Sequence, residues 1–320
     1  MSDSPKLTIG IPTLDRPEHL QHAIDSCLRQ TLPVKILVAD QGHSDGTAAV
    51  MARYADHPHV WHLKTQATCL WENWRTAADL CRTEYFAWLQ DDDIISRIYS
   101  ARVCRAFELF PQALHWQARC YVSPNRKHAI WWGVNGPQIG LDMHDLGIEL
   151  WPGEVILGSL YFLSWALSPG VAFRCGPEFT AALEAMPSHC DLYEERLILG
   201  EMCVRGPWVA DPVTAGYWHH HGKNESYRQN ADGSLDRQFQ VMVDRLDDLV
   251  DGCADWDDAF ELWLRSRSVL DAFNWLKEWP VPTSRHSERL KEVMTRSLDG
   301  RVEPAQIPAP SPEPRLVVCA

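Results

Sequence analysis

Strand and helix signals alternate through the first 110 residues, and this constrains the fold more than any other feature of the chain. Leu7–Ile11 is a short apolar strand ending at Pro12. Asp15 then offers an N-cap and Pro17 a first-turn proline, ahead of Leu20, Ala23, Ile24, Cys27 and Leu28 on one helical face. Val34–Ala39 is a second strand, 40–46 a polar loop and 47–54 a helix. Val60–Leu63 is a third strand, and Leu70, Trp74, Ala77, Ala78 and Cys81 mark another helical face. Tyr85–Leu89 is fully apolar, as strands buried in parallel sheets are, and runs straight into Gln90 and three aspartates. Such alternation predicts βαβ units, an α/β fold and a mostly parallel central sheet with flanking helices.

Ligands of such sheets bind at the carboxyl ends of the strands. Three polar clusters fall at those ends: Pro12–Arg16, Asp40–Asp45 and Asp91–Asp93. An isolated acidic triplet is more often a solvated loop than a site. Immediately after a buried strand, Asp91, Asp92 and Asp93 repel one another unless a cation compensates them. Hard oxygen donors point to Mg²⁺ or Mn²⁺, which bridges a diphosphate and neutralises a leaving group.

The formal net charge of −13 argues against a nucleic-acid binder, whose affinity rests on basic residues facing phosphates. It leaves a nucleotide ligand open, because a metal ion inverts the charge of an acidic pocket. The ten cysteines form no CxxC pair and are expected to be reduced, mostly buried thiols of a cytoplasmic protein. The N-terminus lacks the basic start and apolar core of a signal peptide. No apolar run approaches the ~18 residues of a membrane span. A peripheral membrane contact stays open.

The second half carries fewer signals. Val171–Arg174 reads as a strand beside a Pro169-Gly170 turn, with Tyr161–Trp165 as its partner. Residues 191–204 read as a helix, Trp208–Trp218 as an extended segment and 239–298 as helical. The proline-rich stretch 303–314 is expected to be extended or disordered. Asp191, Glu194 and Glu195 stand at i, i+3 and i+4 and share one helical face. Acids there also complement the helix dipole, which is as good an account of any single one. Fifteen tryptophans suggest a sugar-stacking groove at Trp131, Trp132 or Trp151, although core packing is the commoner role.

Three segments in order carry a family resemblance: Ile11–Pro17 (IPTLDRP), Val38–Thr47 (VADQGHSDGT) and Tyr85–Asp93 (YFAWLQDDD). Together they resemble the family 2 glycosyltransferases of GT-A fold, whose pattern is a Pro-Thr-x-Asn-Arg start, an acidic loop and a DxD-type metal site. Asp15 and Gln41 depart from that pattern. The resemblance implies an inverting transferase that moves a sugar from a nucleotide-sugar, a UDP-sugar first, to a carbohydrate, lipid-linked or peptide acceptor.

It further implies that Pro12, Thr13, Asp15 and Arg16 line the nucleotide pocket, that Asp40 reads the nucleobase, and that Asn73 joins them from the helix before the metal strand. Asp91 and Asp92 would contact the donor, and Asp91 and Asp93 the metal, with Asp93 preferred. One of Asp191, Glu194 and Glu195 would be the general base. His220, in a run whose Trp218 replaces the family's Arg, would be a metal or diphosphate contact, and Lys223 a phosphate contact. The expected organisation is a transferase domain over 1–230, with a nucleotide-binding half at 1–110 and an acceptor half at 111–230. A helical region at 231–300, serving as acceptor platform or oligomer contact, and a tail at 301–320 would follow. A non-catalytic nucleotide-binding relative is the first alternative. A nucleotidyltransferase ranks lower, because Ile11–Pro17 holds no glycine-rich phosphate loop.

Overall fold

The computed structural model describes residues 4–124, 130–132, 148–161, 168–187, 193–220, 234–258, 261, 284–299 and 315–316. Strand β1 (Leu7–Thr13), buried along its whole length, lies inside the central sheet. β2 (Val34–Asp40) and β4 (Tyr85–Trp88) flank it in parallel, and β3 (Val60–Lys64) adds parallel to β2. The crossovers are α1 (Pro17–Leu28), α2 (Asp45–Met51) and α3 (Leu70–Asp79). α1 buries Leu20, Ala23, Ile24 and Cys27, the face its spacing predicts. α3 lies close on the sheet, since a Cβ at Gly10 would stand 2.8 Å from Ala77 Cβ.

Among β1 to β4 every pairing is parallel, as expected; past β4 parallel and antiparallel pairings mix. β9 (Val171–Arg174) pairs antiparallel with β4 and with β6 (His115–Pro124). β10 (Trp208–His220) runs parallel to β6 and antiparallel to β8 (Glu149–Trp151). β11 (Arg315–Leu316) pairs with β8, β7 (Ile130–Trp132) with β6, and the two-residue β5 (Ile94–Ile95) with β10. The β5 pairing draws the acidic triplet towards the end of β10.

Alternation along each strand feeds two core layers. In β4, Tyr85 and Ala87 pack with Val103 and Phe107 of α4 (Tyr99–Leu109), while Phe86 and Trp88 face the other way. That second layer holds α3, α5 (Leu157–Leu160), α6 (Pro177–Ala185), α7 (Glu194–Cys203), α8 (Ser234–Asp251) and α9 (Ser287–Asp299). Met242, Val243 and Leu246 of α8 are fully buried in the same cluster as Leu197 and Met202 of α7. Among the described residues, α8 and α9 thus bury Met242, Val243, Leu246, Leu290 and Val293 inside the chain. Arg245 reinforces the contact with an ion pair to the buried Glu201. Among the described residues, no helix is long and apolar enough to cross a membrane.

Several local expectations shift. Asp15 does not cap α1: its backbone sits in the left-handed region (φ 52), and the helix starts at Pro17 after Arg16. α2 begins at Asp45 rather than 47, with a 3₁₀ turn over Ala52–Tyr54. Val171–Arg174 is a strand as expected, while 162–167 lie outside the described residues. So do 262–283 of the predicted C-terminal helical stretch, the proline-rich 303–314, and Cys190 and Cys319. The other eight cysteines are free thiols.

Candidate active site

Parallel pairing brings the ends of β1, β2 and β4 to one edge of the sheet. Thr13 and Asp40 are register partners, and the Gln41 N–H donates to Thr13 O at 3.0 Å. From β1, Thr13 Oγ1 donates to Asp91 Oδ2 at 2.7 Å. Arg16, in the loop beyond, reaches Asp91 Oδ1 at 3.2 Å and Asp92 Oδ2 at 2.9 Å. The Pro12–Arg16 cluster is therefore bonded directly to both of the others. Burial pushes Asp91 up to about 7, with the Asp92 charge adding to it and Arg16 and Thr13 opposing it.

The third cluster lies alongside. Asp40 is buried, and Oδ1 accepts the Gly42 N–H at 2.8 Å. Oδ2 accepts from His62 Nε2 at 3.1 Å and Lys64 Nζ at 3.2 Å, both on β3. Lys64 also donates to Gly42 O. Asn73 is buried behind this strand end: Nδ2 donates to Ala39 O at 2.9 Å and Oδ1 accepts from Thr65 Oγ1 at 2.8 Å. Pro12 is buried in β1, whereas the Asp15 side chain is exposed and bonded to the loop that precedes α2. Gly42 sits where these loops meet, and a Cβ there would come within 2.6 Å of Asp15 Oδ1.

Asp93 differs from its neighbours. Oδ1 accepts the His219 N–H of β10 at 2.8 Å. Oδ2 is buried with no hydrogen-bond partner. Burial, then the Asp92 charge, raise its pKa well above the usual carboxylate range, and Glu195 contributes to the same shift. Glu195 lies on the first turn of α7 and accepts the Ser168 N–H at 3.1 Å. Burial pushes its carboxyl up to about 7, and Arg196 opposes that shift most. It lines a narrow cleft walled by Trp74, Trp88, Val171, Phe173 and Ile198.

Of the three acids expected to share a face, Glu195 is in this cleft. Glu194, buried at 3% exposure, is not among its lining residues, since neighbours on a helix point about 100° apart. Asp191 and Lys223 lie outside the described residues, as does the His220 side chain, although its backbone ends β10. Trp151 is core, donating to Glu149, while the Trp131 and Trp132 side chains are outside the description.

Sequence reasoning missed the tryptophans that line the cleft, Trp74 and Trp88, and the cations of β3. Alternation along β4 was the available signal for Trp88. For Lys64 it was the register that sets it opposite Asp40.

Among the described residues, no three His, Cys, Asp or Glu side chains converge as a metal-holding group. Asp91 gives one oxygen to Thr13 and the other to Arg16, which leaves Asp93 Oδ2 as the open acceptor. A buried carboxylate oxygen without a donor fits a hard divalent cation. Mg²⁺ in particular is commonly held by one or two carboxylates together with substrate phosphates, not by an all-protein cage.

Residues 8–132 match the family described as glycosyl transferase family 2. No curated protein matches the sequence. Among solved structures, S. aureus TarS 1-349 in complex with UDP-GlcNAc is similar at 15% identity and a TM-score of 0.56, covering 92% of this chain and 79% of that one. The mannosyltransferase PcManGT from Pyrobaculum calidifontis, in complex with GDP-Man and Mn²⁺, is similar at 14% identity and a TM-score of 0.51, covering 92% of this chain and 85% of that one. Identities this low speak for fold, while the matched segment contains β1 to β4 and the acidic triplet. Over residues 8–132 the chain thus resembles glycosyl transferase family 2, and its fold is the GT-A fold.

Proposed function

We propose that the chain transfers a sugar from a nucleoside-diphosphate sugar to an acceptor hydroxyl, with inversion at the anomeric carbon and a divalent cation, Mn²⁺ or Mg²⁺, at the donor. One observation carries this reading. The buried, partnerless Asp93 Oδ2 belongs to a carboxyl whose pKa the Glu195 charge helps to raise, and Glu195 faces a cleft. When bound, the cation supplies charge neutralisation for the departing diphosphate. Asp93 would hold it through Oδ2.

Thr13 and Arg16 keep Asp91 and Asp92 in place and offset their mutual repulsion. The loops bearing Pro12, Asp15 and Asp40 supply the nucleotide contacts, with Lys223 as a phosphate contact. Asn73 serves them from behind by fixing the end of β2. Glu195 takes the acceptor proton onto its carboxylate as the hydroxyl oxygen attacks. A group near 7 suits that task, because it is ionised at working pH and still basic. Trp74, Trp88 and Phe173, all buried, keep bulk water from this carboxylate.

The similar structures hold UDP-GlcNAc and GDP-Man, so both uridine and guanosine donors belong in the test. A UDP-sugar is the first choice, with a carbohydrate, lipid-linked or peptide acceptor and a cytoplasmic location. The test follows nucleoside-diphosphate release from a donor panel with Mn²⁺ or Mg²⁺, alongside Glu195→Gln. Metal-dependent release that collapses in Glu195→Gln supports the reading. Donor binding without turnover in the wild type would favour a nucleotide-binding relative instead.

A further inference from the structure

Cys81 follows α3 and Cys175 follows β9, 94 residues apart, yet their Sγ atoms are 3.5 Å from each other. Both are half-buried, and neither belongs to the site above. Their backbones are anchored: the Cys81 N–H donates to Ala78 O at 3.0 Å and the Cys175 N–H to Glu84 O at 2.9 Å. Hydroxyls surround the pair, with Thr83 Oγ1 at 3.3 Å from Cys81 Sγ and bonded in turn to Thr8 Oγ1 at 2.7 Å.

These neighbours make the two sulfurs unequal. The hydrogen bond from Cys175, and after it that from Thr83, lower the Cys81 thiol to about 6, whereas donating that bond pushes Cys175 up. Elsewhere burial acts alone or dominates: Cys27 rises to about 12 and Cys104 to about 11. Cys81 is thus a nucleophile with its resolving partner already in contact.

We propose that Cys81 and Cys175 form a reversible disulfide on exposure to a peroxide, making the seam between α3 and β9 a redox-sensitive lock. The Cys81 thiolate attacks one peroxide oxygen, the O–O bond breaks, and with one proton the departing oxygen leaves as water, giving Cys81 sulfenic acid. The Cys175 sulfur then attacks the Cys81 sulfur. Its proton leaves with the sulfenic hydroxyl as a second water, and the S–S bond forms. The two thiols lose two electrons and hydrogen peroxide gains them. Contact at 3.5 Å shortens to a bond of about 2.0 Å through side-chain rotation. The lock joins the helix that carries Asn73 and Trp74 to the strand that carries Phe173, and it forms whether or not the chain transfers sugar.

The experiment treats the full-length folded chain with hydrogen peroxide and digests it without reduction for mass analysis. The expected result is one linked peptide pair containing Cys81 and Cys175, lighter by two hydrogens. Dithiothreitol should reverse it, and the oxidised chain should melt higher than the reduced one. Cys175→Ser should stop at a dimedone-reactive sulfenic acid on Cys81. A wild-type chain that gives no such linked pair, keeps a dimedone-reactive Cys81, or joins Cys81 to a different cysteine overturns the proposal. The wild-type measurement stands even if a variant fails to fold.

Discussion

The Asp15 carboxylate takes two hydrogen bonds from Ser44, one from the hydroxyl at 2.6 Å and one from the backbone N–H at 2.8 Å. The His43 N–H adds a third at 3.1 Å. An acid in the loop after β1 therefore caps the helix that follows β2, and the two loops are tied at their tips. Ser44 makes no cap of its own through its side chain, so the cap comes from 29 residues away.

This relationship has a pH signature. Ser44 and His43 hold Asp15 down at about 2 against an ordinary value of 3.8. A lowered folded-state pKa contributes stability in full above the unfolded value and loses it as pH falls through the folded one. Asp15→Ala should therefore cost the most above pH 4, and the gap from wild type should narrow between pH 4 and pH 2. The site is exposed and screened, so the cost at neutral pH should be at most about 1 kcal/mol, typical of a lost cap. Asp15→Asn should cost less, because its amide oxygen still accepts and Asn tolerates the left-handed backbone. Urea midpoints across that pH range check this; a gap of constant size would mean the charge is not what matters.

Asp93→Asn should raise the melting temperature of the metal-free chain at pH 7 to 8. Burial and the Asp92 charge make ionised Asp93 unfavourable, so its raised pKa is a stability penalty that grows above the ordinary carboxylate value. Removing the charge relieves this by roughly 2 °C for each kcal/mol recovered. The same change should abolish any upward shift that Mn²⁺ gives the wild type, since a cation that binds only the folded state stabilises it by mass action. An unchanged Mn²⁺ shift in Asp93→Asn would take the metal away from this residue.

How much of this was readable beforehand depends on the range of the interaction. β1, β2 and β4 are apolar runs bounded by polar clusters, and the parallel crossover rule alone brings Thr13, Asp40 and Asp91 to one edge. The use of Asp15 was hidden because its partners are 28 and 29 residues away, and a local pattern reads it as the cap of its own helix. Glu194 and Glu195 were indistinguishable in sequence. Only packing of α7 against α8 turns one of them to the cleft. The mixed half of the sheet was illegible for a similar reason, since β6 and β10 pair residues such as Trp116 and Val209 across a long gap. Trp88 hides in a strand where every residue is apolar, so alternation groups it with Phe86 without telling which face lines the cleft.

Asn73 should act mainly as a brace. Asn73→Ala removes a buried bond to Ala39 O and leaves Thr65 Oγ1 only the long 3.5 Å contact to Asp40 O, a loss of about 1–3 kcal/mol. If its effect on donor binding runs through the end of β2, Thr65→Val, which keeps Asn73 in the chain, should weaken binding in the same direction but less. Isothermal titration with UDP or GDP on both variants distinguishes the roles. Weak binding in Asn73→Ala beside wild-type binding in Thr65→Val would make Asn73 a direct nucleotide contact.

Glu195→Gln makes the sharpest separation between chemistry and structure. As a base the carboxylate must be ionised, so turnover should fall as pH drops below about 7, the value to which burial pushes Glu195. The amide keeps an acceptor for the Ser168 N–H but takes no proton, so kcat should drop by about 10²–10⁴ while donor affinity stays near wild type. Stability should move the other way. An acid raised above its unfolded pKa pays for ionisation in the folded state, so at pH 8 the neutral Gln should match or exceed the wild-type melting temperature. Glu194→Gln, at a residue outside the cleft lining, should leave the acid limb of the pH profile where it is. A profile for Glu195→Gln that keeps the wild-type limb near 7, or a kcat loss no greater than that of Glu194→Gln, would move the base to another residue.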